Sequence, residues 1–485
     1  MADRTEHFDV LIVGAGISGI GAACHLQKKS PNRSFAIIEA RSNIGGTWDL
    51  FRYPGIRSDS DMYTLGYAFK PWKEGDAIAD GDSILKYLGE TVDEHALQDK
   101  IRFNRKVTTA RWSTENANWT LTIECSETGS SETLTCGYLF MCSGYYNYDG
   151  GYLPDFKGYG DYTGTIAHPQ QWPQDLDYAG KQVIVIGSGA TAVTVVPAMA
   201  ESAAHVTMLQ RSPSYVASRP QQDKIANGLR KFLPAWLAYK MTRVKNVLLN
   251  IIFFNLARKY PAKTKAKLVG MVQEELGPDY DVATHFKPTY NPWDQRLCAV
   301  PDADLFQVIR KKQASVVTDH IDHFTAKGIM LQSGKELIAD IIVPATGLVL
   351  QSLGGMQLVV DGEPVDIGST TNYKGMSLSN VPNFAWTVGY TNSSWTLKAD
   401  LTASYVCRLL NYMDKHDHQI CVAKLDGEAP NSAPLLDFSS GYIQRSIKDL
   451  PKQGGMQPWK NHQNYIADLL HLKFERLEDN VMKFS

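Results

Sequence analysis

Two glycine-rich turns in this chain have the residue types needed to hold a pyrophosphate. One is Gly14-Ala15-Gly16-Ile17-Ser18-Gly19; the other is Gly187-Ser188-Gly189-Ala190-Thr191-Ala192. In such turns glycine lets the backbone approach phosphate oxygens at a helix N-terminus, where unpaired N–H groups carry partial positive charge. The residues 25 positions beyond each first glycine differ. Beyond Gly14 that residue is Glu39; beyond Gly187 it is Ser212, preceded by Gln210 and Arg211. A carboxylate accepts from ribose hydroxyls and repels a 2′-phosphate, whereas arginine pairs with that phosphate and serine donates to it. The first turn therefore selects FAD or NAD and the second NADP. The simplest pairing is FAD at the first and NADPH at the second. Ala192 in the third glycine position is tolerated by the motif.

Other chemistry-bearing residues cluster just after the first turn. Gly45-Gly46-Thr47-Trp48 gives a close-approach turn followed by a large aromatic. Arg52, Arg57 and Asp59 follow in a stretch that Pro54-Gly55 keeps irregular. Charged groups near a nucleotide turn are site candidates, and the alternative is a solvated surface loop. Arg296 lies in a loop between Pro292 and Pro301, and the residues alone do not separate a site from a surface position. The stretch before the second turn spells Tyr162-x-Gly164-x-x-x-His168-x-x-x-Trp172-Pro173.

The elements that must position these groups are legible. Phe8–Val13 is a near-continuous apolar run, the pattern of a parallel strand buried on both faces. A helical stretch and the strand ending at Glu39 complete a βαβ unit, and Glu39 falls 20 positions beyond Gly19. Gln182–Ile186 is the corresponding strand of the second unit. Apolar runs ending in Cys142-Ser143-Gly144 and Ala345-Thr346-Gly347 read as two domain crossings. The predicted fold is α/β, with two Rossmann-like dinucleotide-binding domains. Residues 1–144 and 347–485 form the first, discontinuous domain, and residues 151–340 the second. Linkers fall near 145–150 and 341–346, and a helical insertion at about 220–290. Within the insertion, residues 246–256 are strongly apolar. They read first as a buried packing helix; an apolar wall for a lipophilic substrate and a membrane-surface contact are the other readings.

Composition narrows the function. At 485 residues the chain suggests two or three domains. A net charge of −2 gives no reason to expect nucleic acid. Seven scattered cysteines with no CxxC spacing indicate neither a disulfide framework nor a metal site. No apolar run approaches the ~20 residues of a membrane span. No signal peptide is apparent, and a reduced, cytoplasmic protein is expected.

The combination of two nucleotide turns, GGTW, RYPGxRxD and the His168–Trp172 stretch resembles the type I Baeyer–Villiger monooxygenases. DLFRYPGIRSDSDMYTLG, CSGYYNYD, YNPWDQRLC and VGYTNSSWTLKAD are similar to the bacterial ethionamide monooxygenase group within that family. The resemblance covers nearly the whole chain and implies a flavoprotein monooxygenase architecture. It makes Arg296 the active-site arginine, with Asp59 beside it and the flavin. Gly14, Gly16, Ser18, Gly19, Glu39, Gly46, Thr47, Trp48, Asp59 and Val107 would contact FAD. Arg57, Ser58, Gly187, Ser188, Gly189, Ala190, Thr191, Gln210, Arg211 and Ser212 would contact NADP. Tyr162, Gly164, His168, Trp172 and Pro173 form the family fingerprint at a domain linker, with Tyr162 in place of the usual Phe. Gln295 stands where many members carry a lysine that grips the 2′-phosphate.

The implied reaction uses NADPH and O2 to convert a small lipophilic ketone to an ester or lactone through a C4a-peroxyflavin. Sulfides or thioamides are oxygenated by the protonated form. The alternatives are a flavin N- or S-oxygenase with little ketone activity, a pyridine-nucleotide–disulfide reductase, against which the missing CxxC argues, and a non-catalytic nucleotide sensor.

Overall fold

The computed structural model describes residues 5–436 and 438–485. Its first sheet is built on Glu6–Val13, in which Val10, Leu11 and Ile12 have no exposed surface. The parallel strand Phe35–Ile38 lies on one side, and Ile101–Arg102 completes that edge. On the other side lies Ser131–Met141, which serves two arrangements. Its first half pairs antiparallel with Asn118–Cys125, which in turn pairs with Arg105–Ser113. Its last residues pair in parallel with Phe384–Trp386, and Gln357–Val360 extends Arg105–Ser113. The chain after residue 347 therefore adds strands to a sheet begun at residue 6.

The second sheet is wholly parallel. Its order is Ala314–Thr318, His205–Gln210, Gln182–Ile186, Ile341–Pro344 and Thr165–Ile166. This corrects one sequence boundary. Residues 341–344, assigned above to a linker, form an interior strand of this sheet. All four are buried, as their apolar run requires. The two crossings run side by side: Tyr146 bridges Leu350, the Asn147 N–H donates to the Val349 carbonyl, and the Tyr152 N–H donates to the Gly347 carbonyl.

The insertion is helical, with helices Lys224–Phe232, Ala235–Lys259 and Pro261–Leu276. The apolar stretch 246–256 is not the core helix expected first. Val247 packs inward with Tyr390 and Leu397, but Leu248, Leu249, Ile252 and Leu256 are exposed. An apolar run of this length wraps all sides of a helix, and only one side here meets the rest of the protein.

Candidate active site

The two nucleotide turns are built alike. Gly14 has φ 107° and its N–H donates to the Ile38 carbonyl; Gly187 has φ 141° and its N–H donates to the Leu209 carbonyl. A Cβ on Gly14 would lie 2.6 Å from the Cys142 carbonyl oxygen, and one on Gly187 would lie 2.4 Å from that of Ala345. Both turns are thus pressed against the strand end where the chain crosses over, and both exclude any side chain. Gly16 and Gly189 then cap the helices Ile17–Lys29 and Ala190–Ala200. Gly19 takes no part in the cleft surface; it lets that first helix sit tightly on its turn.

Glu39 is buried, and its two carboxylate oxygens accept the N–H groups of Ala15, at 2.6 Å, and Arg41, at 2.9 Å. Burial raises its pKa despite those bonds. The fixed carboxylate keeps lone pairs for two ribose hydroxyls. Across the cleft Arg211 and Ser212 are exposed, and among the described residues Arg211 has no ion-pair partner. The Ser188 hydroxyl donates to the Ser212 carbonyl at 3.1 Å and fixes that corner. Arg57 gives Nη1 to Asp304 at 2.5 Å, and its buried Nη2 has no partner among the described residues.

One cavity of about 1100 Å³ joins these parts. It is lined by Gly14, Gly16, Ser18, Glu39, Gly46, Thr47, Trp48, Asp59 and Val107 from the first set. It is also lined by Arg57, Ser58, Gly187, Ser188, Gly189, Ala190, Thr191, Arg211 and Ser212 from the second. Arg296 and Asp59 meet in it, with Arg296 Nη2 donating to Asp59 Oδ2. Asp59 raises the proton affinity of Arg296 well above its ordinary value and outweighs burial, which opposes it. Arg296 is therefore a permanent cation in the cavity wall.

Several predicted residues lie elsewhere. Gln210 is buried and donates to the His285 carbonyl and to Thr318 Oγ1, each at 2.8 Å, so its amide is turned away from the cleft. The fingerprint residues do not line the cavity. Tyr162 donates to the Ala339 carbonyl at 2.9 Å, and a Cβ on Gly164 would strike both that phenol and the Asp340 carbonyl. His168 packs over Gly151; its Nδ1 accepts from the Gln170 N–H, its Nε2 is buried without a partner among the described residues, and burial lowers its pKa. Gln170, between His168 and Trp172, donates to the Asn147 carbonyl at 2.7 Å. Trp172 packs on the core of the second sheet, and Pro173 is partly exposed beside it. The fingerprint thus ties the first crossing to the second sheet.

Other site residues had gone unmarked. Tyr145, Tyr146 and Tyr442 surround Arg296, and burial raises all three phenol pKa values, Tyr146 and Tyr442 to about 12. Trp395 stacks on Tyr145 with centroids 5.0 Å apart and donates its Nε1–H to Ser18 Oγ at 2.7 Å. It begins the helix Trp395–Lys415, whose N-terminus opens on the cavity. The crossing that follows Cys142 could have flagged Tyr145 and Tyr146. Nothing in the spacing marks Tyr442.

This fold and site define a flavin oxidoreductase with two nucleotide cradles facing one cavity, and comparison with known proteins agrees. A family model described as pyridine nucleotide-disulphide oxidoreductase matches residues 11–241. The chain is 53% identical to the FAD-containing monooxygenase EthA of Mycobacterium tuberculosis over 99% of its own length and 98% of that protein's. It is 50% identical to EthA of Mycolicibacterium smegmatis at the same coverage. Among solved structures, an oxidized steroid monooxygenase bound to NADP superposes with a TM-score of 0.72 at 23% identity, over 86% of this chain and 88% of that one. Cyclohexanone monooxygenase from Rhodococcus sp. Phi1 bound to NADP+ gives 0.72 at 20%, over 88% of each. At those identities the likeness concerns the fold. The sequence relatives carry the assignment further: the chain belongs to the family of FAD-containing monooxygenases of the EthA type.

Proposed function

We propose that this monooxygenase inserts one atom of O2 beside the carbonyl of a small lipophilic ketone to give an ester or lactone, and that it also oxygenates sulfides and thioamides. The balance is ketone, O2, NADPH and a proton going to ester, NADP+ and water. In this reading the first unit, residues 1–144 and 347–485, holds FAD and the second, which runs from 151 through the strand ending at 344, holds NADPH. The fit is supported by two turns that a Cβ would fill, by the paired backbone donors on Glu39, and by the uncommitted Arg211 and Arg57 Nη2. The reduced flavin, once bound, supplies the activated oxygen.

The chain's own residues have four tasks. Glu39 accepts from the FAD ribose and Arg211 pairs with the NADPH 2′-phosphate. Asp59 positions Arg296. Arg296 holds positive charge where the carbonyl oxygen becomes an anion, and a fixed cation there stabilises that charge as it develops. The half-buried phenols of Tyr145, Tyr146 and Tyr442 have raised pKa values, stay protonated and add no competing anion. The seven cysteines are free and buried, in keeping with a reducing cytoplasm.

The observation that carries this reading is the placement of Arg296 and Asp59 in the cavity that both turns line. Arg296→Ala tests it. The variant should keep FAD and NADPH oxidation and lose oxygenated product. Ketone conversion at the parent rate would show the assignment wrong.

A further inference from the structure

We infer that the helical insertion is a docking surface for an anionic lipid bilayer. Val244, Leu249 and Ile252 each keep more than half of their surface exposed. With Met241, Leu248 and Leu256 they form a stripe along one side of the helix Ala235–Lys259. From residue 241 to 256 the stripe is about 22 Å long at the α-helical rise. An aromatic, Tyr260, 45% exposed, stands at its C-terminal end. Lys259 and Lys263 lie over the Tyr260 ring, at 5.4 and 5.8 Å from its centroid. An exposed tyrosine with two lysines at the end of an apolar stripe suits the headgroup layer of a membrane.

Charge identifies the occupant. From Lys224 to Gln273 the chain has eleven Lys and Arg and no Asp or Glu, in a protein whose net charge is −2; Arg243, Lys245 and Arg258 are paired with Asp400, Asp223 and Asp294, which leaves eight of the eleven without an ion-pair partner among the described residues. That asymmetry opposes a second copy of the same face and complements anionic headgroups. Among the described residues no helix is long and apolar enough to cross a membrane, so the surface rests on the bilayer. The opposite side of the helix faces the site: Val247 packs with Tyr390, a cavity-lining residue, and Phe254 meets Trp293, three residues before Arg296, edge-on at 5.5 Å.

The test is sedimentation of the full-length, FAD-loaded protein with vesicles of phosphatidylcholine alone and of phosphatidylcholine with phosphatidylglycerol. The parent should sediment with the anionic vesicles and far less with the neutral ones. Two double variants, Leu248→Ser with Ile252→Ser and Lys240→Glu with Lys259→Glu, should each lower partitioning at least about tenfold. Both should keep bound flavin and turnover of a water-soluble ketone. Absence of parent binding to anionic vesicles, or equal binding by both variants, would overturn the inference. So would a parent dimer that the serine pair dissociates, since the patch would then be an interface between copies.

Discussion

Replacing Arg211 with alanine should remove the preference for NADPH over NADH and leave the rest of the enzyme intact. The side chain is exposed and has no ion-pair partner among the described residues, so its loss disturbs no packing. The neighbouring Gln295, which lines the same cavity, is uncharged and gives no substitute cation. A charge-assisted hydrogen bond contributes about 1.5–3 kcal/mol, and solvent exposure places this one at the lower end. A loss of about 1.5–2 kcal/mol corresponds to a rise of roughly 10- to 30-fold in the KM for NADPH. The KM for NADH, which lacks the phosphate, should change less than about twofold. Raising ionic strength should weaken NADPH binding to the parent and hardly affect the variant, because screening removes a charge pair only where one exists. The assay is steady-state oxidation of each nucleotide at low and high salt. Equal loss toward both nucleotides, or no loss toward either, would refute the assignment of Arg211.

Glu39→Gln places an amide NH2 against one of two buried backbone donors; at about 1–3 kcal/mol for an unmet donor, flavin affinity, read as retention after gel filtration, should fall roughly 5- to 150-fold. Gly187→Ala should abolish NADPH oxidation while bound flavin persists, since the new Cβ meets backbone at 2.4 Å and the φ of 141° disfavours alanine; flavin absorbance and NADPH turnover check this together. Tyr162→Phe loses one buried hydrogen bond to the Ala339 carbonyl and should lower stability by about 1 kcal/mol, read by denaturant unfolding, with activity retained. For His168, burial lowers the folded pKa below its ordinary 6.5, so the unfolded chain takes up the proton first. Stability should therefore fall as pH drops below about 6.5, and His168→Gln should lessen that fall in melting temperature between pH 7.5 and 5.5.

Much of the site could be read before the structure because its chemistry is local. The turns at Gly14 and Gly187, and the contrast between Glu39 and Arg211, depend on short stretches whose geometry the backbone fixes. The paired ends Cys142-Ser143-Gly144 and Ala345-Thr346-Gly347 gave the crossings, since apolar runs ending in small residues mark them. What stayed hidden depends on tertiary contact. Arg296 and Asp59 are far apart in the chain, and only the family resemblance joined them. Gln210 ends a strand, where a cofactor-binding residue would stand, yet its amide turns inward to Thr318 and the His285 carbonyl. Tyr442 enters the cavity from the distant C-terminal region. The helix at 246–256 misled because hydrophobicity records a preference for leaving water and does not name what covers the surface.

Product analysis with NADPH and 18O2, offered an aliphatic methyl ketone and a thioether, tests the central claim most directly. The account predicts an ester carrying one labelled oxygen from the ketone, and sulfoxide from the thioether. Sulfoxide with no ester would contradict the ketone reading and leave an S-oxygenase. Neither product, with NADPH unconsumed, would contradict the proposed reaction altogether.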